Sequence, residues 1–136
     1  MNDTANTANT EKTEKTEKTE KIEKIEKFVD GVNFNSDGLV PVIAQEATTR
    51  EVLMLAWMNR EALLLSLQTG KGTYFSRSRS ALWVKGEESG NTQQVVDLRS
   101  DCDSDALVMT VHQHGPACHT GESNCFFTVI DVGHHD

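Results

Sequence analysis

Residues Asp101 to Cys125 read DCDSDALVMTVHQHGPACHTGESNC, and the rest of the chain is organised around this stretch. Its middle, Ala106 to His112 (ALVMTVH), is an apolar run between polar clusters, which reads as a strand. All three cysteines of the chain, Cys102, Cys118 and Cys125, lie on the stretch or close its end. Three thiolates bind zinc well, and a tetrahedral ion with three protein ligands keeps one position for water, the layout of a catalytic site. The competing reading makes Cys102 and Cys118 small core residues and Cys125 an incidental surface thiol. A disulfide framework fits poorly, because an odd cysteine count leaves one unpaired and nothing marks the chain for export.

Asp101, Asp103 and Asp105 recur at every second residue, so an extended segment projects them to one side and Cys102 and Ser104 to the other. Three carboxylates on one side suit a hard cation such as magnesium, while a thiolate on the opposite side suits zinc. A helix-loop-helix calcium loop is excluded by Ala106 and His112 at the positions needing Gly and Glu. The alternative is an acidic, solvated edge. With Cys102 facing away from the aspartates, and Cys118 and Cys125 beyond another strand and turn, zinc would gather its ligands from two chains, which favours a dimer.

The 136 residues amount to one domain's worth of sequence. Residues 10 to 27 repeat TEK and then IEK, with no apolar face except at Ile22 and Ile25. Each Glu precedes a Lys by four positions, which supports a solvated helix. Threonine at every third position opposes it, so residues 1–27 are expected to be a low-complexity, frayed or disordered tail and residues 28–136 the working domain. No apolar run suits a signal peptide or a membrane span, so the chain reads as soluble and cytoplasmic.

Setting the tail aside leaves seven basic and fourteen acidic residues, a net of −7. Such a field does not hold nucleic acid. Within this acidic body, residues 71 to 86 (KGTYFSRSRSALWVKG) carry Lys71, Arg77, Arg79 and Lys85 and no acid. That local excess reads as an anion pocket, with Ser76, Ser78 and Ser80 as further donors to a phosphate. The alternative is an exposed strand and turn balanced by acids elsewhere.

Strands are expected at Leu39–Gln45, Val52–Met58, Thr73–Ser76, Leu82–Lys85, Gln93–Leu98, Ala106–His112 and Phe126–Val132, with Pro41 pushing the first toward a sheet edge. One helix, Arg60 to Thr69, is capped by Asn59 and ended by Gly70. The expected class is α+β, predominantly β: a compact mixed-strand domain with one clear helix at about 60–69.

The series AWMN (Ala56–Asn59), YFSRSR (Tyr74–Arg79), LWVKGEESG (Leu82–Gly90), DCDSDAL (Asp101–Leu107) and HQHGPACHTGESNCF (His112–Phe126) resembles the phosphoribosyl-AMP cyclohydrolases of histidine biosynthesis. The resemblance covers about Leu39 to Phe127, with the motifs in order. It implies an intertwined homodimer that needs zinc and magnesium, with zinc ligands drawn from both subunits: Cys102, Cys118 and Cys125 for zinc, and Asp101, Asp103 and Asp105 for magnesium. The TEK tail is no part of the family pattern.

The implied chemistry suits the residues. Alkylation of adenine at N1 leaves C6 electron-poor; a zinc-activated water attacks C6, and the N1–C6 bond opens. His119, beside Cys118, is the candidate proton shuttle, or else a hydrogen-bonding histidine that orients the site. Arg77, Arg79 and Lys85 would meet the phosphates, with magnesium taking part of that charge. Trp83 or Tyr74 would stack on the purine, or serve as core aromatics. Two other classes compete: a zinc-dependent nucleobase deaminase, which calls for Pro-Cys-x-x-Cys where this chain has Pro116-Ala117-Cys118 without the second cysteine, and a non-catalytic zinc-binding module with a fourth protein ligand from His112, His114 or His119.

Overall fold

The structure is a computed structural model that describes residues 3–134, with side chains from Thr16 onward. The chain falls into two compact units, Met1–Gly31 and Val32–Asp136.

The first unit is a helix, α1 (Asp3–Asp30). The stretch expected as a low-complexity, frayed or disordered tail, residues 1–27, falls on this helix except for its first two residues, which lie outside the described range. With neither Gly nor Pro inside it, and Glu four positions ahead of Lys throughout, the backbone keeps its own hydrogen bonds. The division between units comes at Gly31, because Phe28, Val29 and Asp30 complete the last turn; the Gly31 N–H closes it onto the Lys27 carbonyl at 3.2 Å.

The second unit is mostly strand. Its main sheet contains β1 (Val40–Glu46), β2 (Val52–Met58), β5 (Gln93–Ser100) and β6 (Leu107–Gln113) in the order β2-β1-β6-β5. Between β2 and β5 the chain forms α2 (Arg60–Thr69) and a hairpin, β3 (Thr73–Ser76) with β4 (Ala81–Val84). β1 runs antiparallel to β2 and parallel to β6, and β5 runs antiparallel to β6. The class is therefore α+β with strands dominant and two helices, one more than the sequence promised.

Alternation puts Val40, Val42 and Ala44 of β1 and Leu107, Met109 and Val111 of β6 in the core, each essentially inaccessible to solvent. α2 adds Ala62 and Leu63, and its buried Ser66 bonds both ways to β3: the hydroxyl donates to the Thr73 carbonyl and accepts from the Thr73 N–H, each at 3.0 Å. The capping expected of α2 is present. Asn59 Oδ1 accepts from the Ala62 N–H at 2.8 Å, and Gly70 takes the left-handed conformation with φ 73°.

Two expectations are corrected. β1 is an interior strand in spite of Pro41, because its ladder with β6 begins only at Val42 and the missing N–H removes no bond there. Phe126–Val132 is not a strand. Its flanking backbone donors go to side chains, Phe126 N–H to Asn124 Oδ1 and Gly133 N–H to Asp131 Oδ1, both at 2.7 Å. Val129 and Ile130 are left more than four-fifths exposed.

Candidate metal and substrate site

The loop after β6 brings two of the three cysteines together. It folds back on itself through Ala117 N–H to the Ser123 carbonyl and Cys118 N–H to the Glu122 carbonyl, both 3.2 Å, with Gly121 at φ 92° in the tip. Residues 118 and 125 thereby flank the closed end, near enough for each thiol to shift the other's pKa. Cys118 is buried beneath Thr120, whose hydroxyl donates to its Sγ at 3.1 Å. That hydrogen bond chiefly, aided by the Cys125 thiol and the Lys85 ammonium, holds the Cys118 thiol below its ordinary pKa. Desolvation and the neighbouring Cys118 push Cys125 up. Two neighbouring thiols pushed in opposite directions, Cys118 down and Cys125 up, suit a pair of metal ligands.

The loop is anchored on two sides. The Cys125 N–H donates to the Leu53 carbonyl at 2.8 Å, and the Glu51 carboxylate, at the mouth of β2, accepts from Ser123 Oγ at 2.8 Å and Asn124 Nδ2 at 2.6 Å. Asn124 first and Ser123 second hold the Glu51 carboxyl below the usual range, so the clamp is in place above that range and is released only as pH falls below it. On the other side, Lys85 Nζ donates to the Ala117 carbonyl at 2.6 Å.

A cleft of about 580 Å³ opens between this loop and the β3–β4 hairpin with its following turn. Its lining includes Arg79, Trp83, Lys85, His119 and Cys125. Five residues read from the sequence as metal, proton-transfer or substrate groups thus meet in one place. Trp83 rests on Tyr74, ring centroids 4.9 Å apart. Tyr74 itself is wholly buried and donates to Gln93 Oε1 at 2.6 Å, so of the two aromatics proposed to stack on a base only Trp83 reaches the cleft. Arg77 is turned onto Trp57, its guanidinium carbon 4.8 Å from the ring centroid. Met54, Glu87, Glu88 and Ser89 also line the cleft and have no assignment from sequence.

The aspartates converge elsewhere, and by a different route from the one expected. Residues 101–106 form a tight turn between β5 and β6 rather than an extended strand, with Ser104 at φ 61°. Asp101 Oδ1 accepts from the backbone N–H groups of Asp105 at 3.0 Å and Ala106 at 3.3 Å. Asn33 pins the turn from outside, its side-chain amide on the Asp103 carbonyl and its N–H on the Ser104 carbonyl, both at 2.8 Å. Oxygen atoms of Asp101, Asp103 and Asp105 lie within 4.8 Å of one another, and this is the only group of three or more such ligands among the described residues. Desolvation works against ionisation of Asp101, but hydrogen bonds from the Asp105 and Ala106 backbone together with the Asp103 and Asp105 side chains leave its carboxyl below its ordinary pKa. Asp103 above all, then desolvation and Asp101, push Asp105 up. Three carboxylates this close, one of them raised by its neighbours, are an arrangement a hard divalent cation relieves.

Cys102 follows β5, on the far edge of the sheet from β2, where Cys125 is tied. Three strand spacings of about 4.8 Å put these edges about 14 Å apart. One chain therefore assembles the Cys118–Cys125 pair without Cys102.

A family model described as phosphoribosyl-AMP cyclohydrolase matches residues 54–127. Curated proteins named phosphoribosyl-AMP cyclohydrolase are similar over about three quarters of this chain. That of Roseobacter denitrificans is 59% identical over 103 residues, covering 76% of this chain and 80% of its own. That of Halorhodospira halophila is 58% identical over 102 residues (75% and 72%), and that of an Acidovorax strain 54% over 110 residues (78% and 83%). The matched region contains β3, β4, the cleft, the aspartate turn and the cysteine loop, and on that agreement of sequence and site the chain belongs to the phosphoribosyl-AMP cyclohydrolase family.

Proposed function

We propose that this chain hydrolyses the N1–C6 bond of the adenine ring of 1-(5-phosphoribosyl)-AMP, giving the formimino-aminoimidazole carboxamide ribonucleotide of histidine biosynthesis. The observation that carries the reading is one cleft in which the Cys125 thiol, the His119 imidazole, the Trp83 indole and the two cationic side chains of Arg79 and Lys85 meet.

Each residue has a physical task. Trp83, braced by Tyr74, offers a ring face to the purine. Arg79 and Lys85 attract the phosphates, and Arg77 adds to the positive rim. His119 takes the proton of the attacking water and returns one to N1 as it leaves C6. Cys118 and Cys125, with Cys102, would hold zinc, which when bound makes water acidic enough to supply hydroxide near neutral pH. Asp101, Asp103 and Asp105 would hold magnesium, whose charge complements a substrate phosphate.

The separation of Cys102 from the other two thiols supports a homodimer in which Cys102 of one subunit completes the zinc site of the other. Three free cysteines suit a reducing compartment, in keeping with action in the cytoplasm. No helix among the described residues is long and apolar enough to cross a membrane.

The deciding measurement is an ultraviolet assay of ring opening of phosphoribosyl-AMP by the purified protein, with zinc and magnesium varied separately. Turnover that requires thiolate-bound zinc supports the reading. A fully metallated protein that leaves the substrate intact would overturn it in favour of a non-catalytic zinc module, and release of ammonia without ring opening would favour a deaminase.

A further inference from the structure

We infer that Glu51 is a positioning residue for the metal loop, setting Cys125 against Cys118 from outside the site. The inference rests on the zinc reading above and adds to it a residue that belongs to neither the cleft nor the ligand set. Glu51 stands more than 70 positions in sequence from its partners Ser123 and Asn124, at the entry to β2. One of its oxygens, Oε2, accepts from two consecutive side chains, Ser123 and Asn124, immediately before Cys125. Its own backbone is fixed as well: its carbonyl accepts from Glu46 N–H at 2.8 Å, and its N–H donates to Thr49 Oγ1 at 3.2 Å. The clamp therefore links the loop to the β1–β2 turn, itself part of the sheet.

The geometry explains why a carboxylate is wanted there. Cys118 is buried and held by Thr120, whereas Cys125 is exposed and fixed by a single backbone bond to Leu53. Without Glu51 the segment 123–125 keeps only two backbone bonds, Ala117 N–H to the Ser123 carbonyl and Cys125 N–H to the Leu53 carbonyl, and no side-chain tie to the sheet, so the second sulfur can swing away from the first. A charged acceptor shared by two donors is stronger than a neutral one, and holding a ligand in place before the metal arrives removes the entropy cost of ordering it. Partners that orient metal ligands commonly govern affinity by roughly 10- to 100-fold.

The test uses the full chain, stripped of metal and titrated with cobalt(II), whose thiolate charge-transfer absorption reports the sulfurs directly. Glu51→Ala should weaken cobalt and zinc binding about tenfold or more, perturb the cobalt ligand-field bands, and speed zinc transfer from the zinc-loaded protein to a chromophoric chelator. Glu51→Gln, which keeps the shape and one neutral acceptor, should recover part of the affinity. Ser123→Ala, which removes one donor and leaves Glu51 with Asn124, should fall between wild type and Glu51→Ala and provides the reading if Glu51→Ala fails to fold. In turnover, kcat should fall while KM stays within about twofold, since the phosphate-binding cations are untouched. Variants folded by circular dichroism that keep wild-type cobalt affinity, spectrum and kcat overturn the inference alone. A wild-type protein that shows no thiolate–cobalt band overturns the zinc reading and this inference with it.

Discussion

Gly86 has φ 78°, and a Cβ there would lie 2.2 Å from the carbonyl carbon of Asn91 and 2.5 Å from the Thr92 nitrogen. Both are backbone atoms, so no side-chain rotation relieves the clash. Gly86→Ala is expected to displace the turn that bears Lys85 and Glu87, costing about 1–3 kcal/mol from the backbone conformation alone and lowering the melting temperature by about 4–8 °C for each kcal/mol. Calorimetry checks the stability, and the KM for phosphoribosyl-AMP checks the turn. Tyr74 makes a second residue-scale case. Tyr74→Phe leaves Gln93 Oε1 buried without its donor, which is expected to cost about 1–3 kcal/mol in urea unfolding at an unchanged slope. An unaffected midpoint would show that the hydroxyl is not needed there. Cys118→Ala and Cys125→Ala should each abolish activity together with stoichiometric zinc. An active, zinc-free Cys125→Ala protein would refute the thiolate assignment. At this scale the sequence announced cysteines, cations and His119 by residue type, but Glu51 was invisible in it, because a lone glutamate near a turn carries no local mark of partners more than 70 positions away.

Among the elements, the aspartate turn shows a correct grouping reached by a wrong geometry. Period-two spacing suggested a strand, whereas the carboxylates converge because Asp101 accepts from the amides at 105 and 106 and folds the chain back on itself. Asp103→Asn is expected to weaken magnesium dependence of the rate while leaving zinc content intact, as read by metal analysis beside a magnesium titration. Loss of both metals together would mean the two sites are not separate. The helix α1 belongs to a unit of its own, and deletion of residues 1–27 should leave activity and the melting temperature of the remainder nearly unchanged. A chain that no longer folds after that deletion would place the repeat inside the folding unit. Phe126–Val132 looked like a strand because its composition is apolar and β-branched, yet a strand needs a free ladder to join, and here side-chain oxygens of Asn124 and Asp131 take the flanking donors.

For the whole molecule, the opposite sheet edges of Cys102 and Cys125 decide the most discriminating experiment. If zinc is shared between the subunits of the proposed homodimer, mixing inactive Cys102→Ala protein with inactive Cys118→Ala protein under subunit exchange should restore part of the activity, because one of the two sites in a mixed dimer would recover all three thiolates. Exchange demonstrated by labelled subunits with no recovered activity would rule out shared zinc.

The sequence by itself determined the class of fold, the strand and helix segments of the second unit apart from the last, the caps of α2, and the chemical inventory of the site. These depend on residue type, on periods of two and 3.6, and on contacts a few positions apart, all of which are written locally. Only the tertiary structure decided that β1 lies inside the sheet beside β6, that Trp83 rather than Tyr74 faces the cleft, and that Cys118 and Cys125 meet while Cys102 stands apart. Each depends on which surfaces bury one another across long stretches of chain. That choice is made by the packing of Val42, Ala44, Leu107 and Met109 in a shared core, and no local pattern specifies it.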